Sequence, residues 1–151
     1  MKFTKQGLFF VLISITIILL DQISKFIINL TKPNLGNLFA IRYVKNTGAA
    51  FGIFLGNSLI LGLFSLVVAV IIIWYYKKIP KHKWVQLFTA LFLGGTIGNA
   101  IDRIARGYVI DFIKLPFWPA FNIADSAVTI GAIGIIIYIF ISDMRKDKVK
   151  K

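Results

Sequence analysis

The sequence contains no cysteine, no glutamate and a single histidine, His82. The missing cysteines exclude disulfides, thiol nucleophiles and thiolate metal sites. They fit either redox compartment and so do not locate the protein. The missing glutamates leave six aspartates as the only side-chain carboxylates, against eighteen Lys and Arg. Charge itself is scarce over long stretches. Gly7 to Leu20 and Asn57 to Tyr76 carry none, and the whole is 58% hydrophobic, where a soluble domain is nearer half.

Four apolar runs take up most of the 151 residues. They predict an all-α membrane protein with four transmembrane helices, at about 7–30, 57–76, 84–101 and 126–142, forming one integral membrane domain over 1–151. No low-complexity linker or repeat of fixed period divides the chain. The first run could be read as the hydrophobic part of a signal peptide. No small-residue cleavage site follows it, however, and apolar character resumes after Asp21 and Gln22. A helix from Gly7 to Leu30 would be about 36 Å long, enough to span a bilayer. Trp74, Tyr75 and Tyr76 form an interfacial aromatic belt. Gly94, Gly95 and Gly98 in the third helix, and Ala127, Gly131, Ala132 and Gly134 in the fourth, allow close helix contact. The tail from Asp143 reads as polar, basic and frayed.

Thr31 to Gly56 reads differently. Pro33, Gly36, Gly48 and Gly52 punctuate it, and Phe39, Ile41 and Tyr43 alternate with Ala40, Arg42 and Val44. This alternation is a strand signal, and Asn46-Thr47-Gly48 is a turn signal. A small β-rich extracytoplasmic element is expected at about 36–56, between helices one and two, lying on the membrane surface.

A net charge of +12 raises the question of nucleic acid. The basic residues cluster at the ends of apolar runs, so the expected partners are anionic lipid headgroups, with no nucleic acid. Eleven Lys and Arg flank one side of the predicted spans and six the other. That bias places both termini and the Lys77–Lys83 loop in the cytoplasm. Asp21, Asp102, Asp111 and Asp125 then fall together near the outer face, with Lys25 snorkelling to the interface from one turn beyond Asp21.

A carboxylate costs roughly 3 kcal/mol at the centre of a membrane helix, so it is rarely kept without a role. His82 lies a membrane thickness from the four carboxylates, which removes Ser–His–Asp catalysis and histidine-held zinc. Carboxylates, amides and guanidinium remain. Two carboxylates sharing a proton can activate water and protonate a leaving group, as in aspartic proteases. Each residue also has a purely structural reading. Asn122 and Asp125 have the spacing of a capping box. Asp111 would suit a solvated loop, Asp102 and Arg103 an interfacial ion pair, and Asp21 a bond to loop backbone or to Lys25. Asn99, Asp102 and Arg103 share one helical face by their i, i+3 and i+4 spacing. A proton- or ion-conducting subunit is the alternative from another class, but it wants carboxylates spread through the bilayer.

Five segments carry a resemblance: Asp21-Gln22-Ile23-Ser24-Lys25, Asn46-Thr47-Gly48-Ala49-Ala50-Phe51-Gly52, Gly98-Asn99-Ala100-Ile101-Asp102-Arg103, Val109-Ile110-Asp111-Phe112-Ile113 and Phe121-Asn122-Ile123-Ala124-Asp125-Ser126. In order and with matching hydropathy, they resemble the lipoprotein signal peptidases (signal peptidase II), four-helix aspartic peptidases of the bacterial cytoplasmic membrane. The resemblance implies that Asp111 and Asp125 are the catalytic pair, and that Asn46, Asn99, Arg103 and Asn122 line or stabilise the site. Asp21, Lys25 and Asp102 are expected to support it. The implied substrate is a diacylglyceryl-modified prolipoprotein cut just before its lipidated cysteine. The implied inhibitor is globomycin. No metal, cofactor or obligate protein partner is expected.

Two close carboxylates cannot easily both ionise, so the pair should hold one proton. Asp125 at a helix N-terminus is favoured as the anion. Asp111, between Ile110 and Phe112 with few donors nearby in sequence, is expected to hold the proton.

Overall fold

The computed structural model describes residues 4–36, 40–48 and 56–149, with side chains as far as Met144. Four long helices are present: α1 Lys5–Thr31, α2 Ser58–Tyr75, α3 Lys83–Arg106 and α4 Ile123–Val149. A single 3₁₀ turn, Tyr76–Lys78, extends α2. Among the described residues, four helical segments are long and apolar enough to cross a membrane. Their boundaries depart from the apolar runs where polar residues continue a helix. Asp102 and Arg106 pair one turn apart, which carries α3 past the expected end at 101 until Gly107 closes it at φ 76°. The tail expected to fray also stays helical, to Val149.

α3 is the central element and packs against α1, α2 and α4. Glycine makes this possible. A Cβ on Gly95 would stand 2.3 Å from the Ala124 carbonyl oxygen, and one on Gly94 2.8 Å from that of Ser14. Without a hydrophobic drive between helices in lipid, such close backbone contact is the main attraction available. A second one is polar: Ser14 Oγ donates to the Ala90 carbonyl across the α1–α3 contact. Large apolar side chains of α1, α2 and α4, such as Leu19, Phe64 and Ile136, face outward, as expected in a lipid solvent.

A three-stranded antiparallel sheet caps one end of the helices, in the order β1 (Asn34–Leu35), β2 (Ala40–Asn46), β3 (Val109–Lys114). The β element expected between helices one and two is present as β1 and β2. Its third strand comes from elsewhere, the connection between α3 and α4. β2 and β3 pair Val44 with Asp111 and Asn46 with Val109, with an irregularity between Ile41 and Val44. β3 is buried from Val109 to Phe112, where Ile110 and Phe112 cluster with Ile28 of α1. The strand reading at Phe39, the motif residues Ala49 to Gly52 and the full reach of the outer element fall outside the described residues.

Candidate active site

The chain returns on itself between Asp111 and Asp125. After β3 a turn at 115–118 leads back to Phe121, whose N–H donates to Ile113 O and whose carbonyl accepts from Ile113 N. This pairing delivers Asn122 to the start of α4. Asn122 and Asp125 form the reciprocal capping box expected from their spacing. The Asp125 N–H donates to Asn122 Oδ1 at 2.9 Å, and the Asn122 N–H to Asp125 Oδ2 at 3.1 Å. The carboxylate is not consumed by that structural role, because Asp125 Oδ1 also accepts from Asn99 Nδ2 at 2.7 Å.

Asn122 then joins the two carboxylates. Its Oδ1 is committed to a backbone N–H, so its amide nitrogen must face the other way, and it donates to Asp111 Oδ1 at 2.7 Å. The second Asp111 oxygen accepts from Asn46 Nδ2 at 2.9 Å, while Asn46 Oδ1 receives the Gly48 N–H. That last bond is the turn expected at Asn46-Thr47-Gly48. Asp111 is 2% exposed, so it is not a solvated loop carboxylate. Nor does it lack donors, as its neighbours in sequence suggest; they come from β2 and from the α4 cap. Burial nevertheless pushes its carboxyl up to about 7, and the charge of Asp125 adds to the rise. The Asn46 and Asn122 donors and Lys25 oppose it.

Both carboxylates open onto one cavity of about 840 Å³, which Arg103, Trp118, Ser126 and Ile130 also line. Ile130 is half exposed on the outer flank of α4, so the cavity runs from the carboxylates toward the lipid-facing surface. Arg103 is not paired with Asp102. It donates from Nη2 to the Gly48 carbonyl at 3.1 Å, and its buried Nε has no acceptor among the described residues.

The remaining expected residues form a buried cluster behind the cavity. Lys25 does not snorkel: its side chain is fully buried, with Nζ 2.7 Å from Asp21 Oδ2 and 2.9 Å from Asp102 Oδ2. The reason is that three acceptors converge on it from α1 and α3, the third being Asn99 Oδ1 at 2.9 Å. Asp21 bonds both to Lys25 and to backbone, as Oδ1 accepts the Ala124 N–H in the first turn of α4. Asp102 takes Arg106 on its other oxygen. Gln22 donates to Asp21, Asp102 and the Gly98 carbonyl. Residue order signals the parts played by Gln22 and Arg106 only through Gln22 standing beside Asp21 and Arg106 at i+4 from Asp102. Gly98 leaves the room, since a Cβ there would come within 2.7 Å of Asp21 Oδ2. Asp21, Asp102, Asp111 and Asp125 are thus gathered in one network at the sheet end of the helices rather than laddered along them, which disfavours an ion-conducting reading.

The comparisons with known proteins bear on the family and the fold. The model of the signal peptidase (SPase) II family, Peptidase_A8, matches residues 13–141. A lipoprotein signal peptidase of Moorella thermoacetica is 39% identical over 131 residues, covering 82% of this chain and 87% of its own. That of Halothermothrix orenii is 38% identical over 135 residues, covering 85% and 93%. A solved bacterial membrane enzyme superposes with a TM-score of 0.84 at 30% identity, covering 91% of this chain and 90% of the other. With four spanning helices, a capping sheet and two bridged aspartates over a cavity, and with this match along most of its length, the chain belongs to the signal peptidase II family.

Proposed function

We propose that the chain is a membrane aspartic endopeptidase that cleaves diacylglyceryl-modified prolipoproteins just before the lipidated cysteine, with Asp111 and Asp125 as the catalytic pair. The observation that carries this reading is the Asn122 bridge, which holds two carboxylates from β3 and α4 at the wall of one cavity. Asp125 accepts a proton from water as the water oxygen attacks the scissile carbonyl carbon. Asp111 gives its proton to the carbonyl oxygen. When the resulting tetrahedral species collapses, Asp125 gives its proton to the departing amine, the C–N bond breaks, and a hydroxyl proton returns to Asp111 as the carbonyl re-forms. Arg103, with a buried N–H that has no acceptor among the described residues, can hold a substrate carbonyl.

The lipid part of the substrate fits the cavity's course toward the flank of α4, where acyl chains can remain in the bilayer while the peptide enters. Each buried methylene adds about 0.8 kcal/mol to that anchoring. Purified protein in lipid should therefore release the signal peptide from a diacylated precursor and leave the unlipidated precursor uncut. Equal cleavage of both precursors would remove lipid recognition from the mechanism.

Orientation follows from the Lys and Arg bias. The site belongs near the outer face of the bacterial cytoplasmic membrane, with both termini inside. Reporters fused after His82 and after Trp118 should come out on opposite sides, the first cytoplasmic; an external His82 reverses the topology.

The pH dependence has a definite sign. A carboxyl at about 7 holds its proton below neutrality and loses it above, so the basic limb of the cleavage profile should fall near pH 7. The limb reports the pair rather than one residue. Asn46→Ala removes a donor that favours the ionised form of Asp111, so the proton is held longer and the limb moves to higher pH. An unmoved limb, or one displaced downward, assigns it to another group.

A further inference from the structure

Lys25 is the most deeply buried cation of the site, yet it touches neither member of the catalytic pair among its hydrogen bonds. Its contact with Asn99 has a consequence for both. An ammonium group donates and cannot accept. At 2.9 Å from Asn99 it therefore requires the amide oxygen on its side. The amide nitrogen is turned to the opposite side, where it lies 2.7 Å from Asp125 Oδ1. Asn122 Nδ2, also a donor, meets the same Asn99 oxygen at 3.3 Å, the longer and uncharged of the two contacts. An Asn99 amide rotated by half a turn would set its NH2 against the ammonium and its oxygen against a carboxylate.

We propose that Lys25 is a positioning residue for the peptidase reaction: it orients the Asn99 amide so that an N–H is always presented to Asp125 Oδ1, which holds that carboxylate in place as the base. This rests on the reading of Asp111 and Asp125 as the catalytic pair. The charged groups facing Lys25 are Asp21 on its own helix and Asp102 on α3, whose other oxygen takes Arg106. Arg103 on the same helix lines the cavity with Asp111 of β3 and Asp125 of α4. Asp21 and Asp102 together hold the cation in place, and the Asp21 bond to the Ala124 N–H ties the same group to the first turn of α4.

Removing Lys25 alone would strand two buried carboxylates. The test is therefore the double variant Asp21→Asn/Lys25→Met compared with Asp21→Asn, in which Lys25 and its Asn99 contact remain. The double variant should lose about 10²-fold in kcat relative to the single one, the size expected for a misplaced catalytic group. KM should stay within about twofold. Equal kcat in the two variants would reduce Lys25 to a counter-ion and overturn the proposal. Should the double variant fail to insert, Asp102→Asn/Lys25→Met against Asp102→Asn makes the same comparison with the other carboxylate neutralised, and equal kcat there overturns the proposal. Asp111→Asn and Asp125→Asn are assayed alongside. Cleavage persisting in those would sink the catalytic pair itself, independently of Lys25.

Discussion

Asp111→Asn and Asp125→Asn each abolish cleavage, lowering kcat by about 10³- to 10⁴-fold or more, while the protein still inserts and still binds substrate. The asparagine at 125 fills the same space and keeps one of the two oxygens that take the Asn99 and Asn122 N–H groups, while its own N–H still bonds Asn122 Oδ1 and caps α4, but it cannot take a proton from water. The asparagine at 111 cannot give a proton to the carbonyl oxygen. The two losses should not add, because both residues serve one step and the double variant has nothing further to lose. Asp143→Asn, near the opposite end of α4, should remain active. The measurement is single-turnover release of the signal peptide from diacylated precursor, with substrate retention scored separately. Cleavage within tenfold of the parent in either single variant would rule out the aspartic mechanism. A loss of substrate retention would show that the substitution acted on binding.

The second large effect is on stability. Asp102→Ala should destabilise the protein by about 3 kcal/mol, the lower end of the cost of breaking a buried ion pair. The lower end applies because Lys25 keeps Asp21 as a partner, whereas Arg106 loses the Asp102 oxygen it pairs with. For a chain of this size the corresponding fall in Tm is about 10 °C. Thermal unfolding of the detergent-solubilised protein, followed through its tryptophans, reads it directly. A fall of under 2 °C would mean that water or a rearranged Gln22 replaces Asp102, and that the cluster is not sealed. Asp102→Asn should be milder, since it retains an acceptor for either cation.

What could be read from residue order was of two kinds. Interactions between near neighbours in the chain follow from helix geometry alone. The Asn122–Asp125 box, the four spans and the turn at Asn46 belong here, because i, i+3 spacing and hydropathy determine them without reference to the rest of the molecule. Family membership was legible for a different reason: five short segments in order amount to a specific signature even though each is weak.

Contacts between distant segments were decided by packing. Sequence places Lys25 one turn past Asp21, and a lone lysine near a helix end ordinarily snorkels. It is buried instead because Gly94, Gly95 and Gly98 let α3 approach α1 and α4 closely enough to bring Asp102 and Asn99 around its ammonium group. Sequence likewise gives Asp111 hydrophobic neighbours and few donors. Its donors are Asn46, brought across the sheet by the pairing of β2 with β3, and Asn122, returned by the Ile113–Phe121 bridge. Hydropathy and local spacing state where a carboxylate lies along its own helix or strand. Which groups surround it depends on how closely neighbouring backbones can approach, and only the folded chain determines that distance.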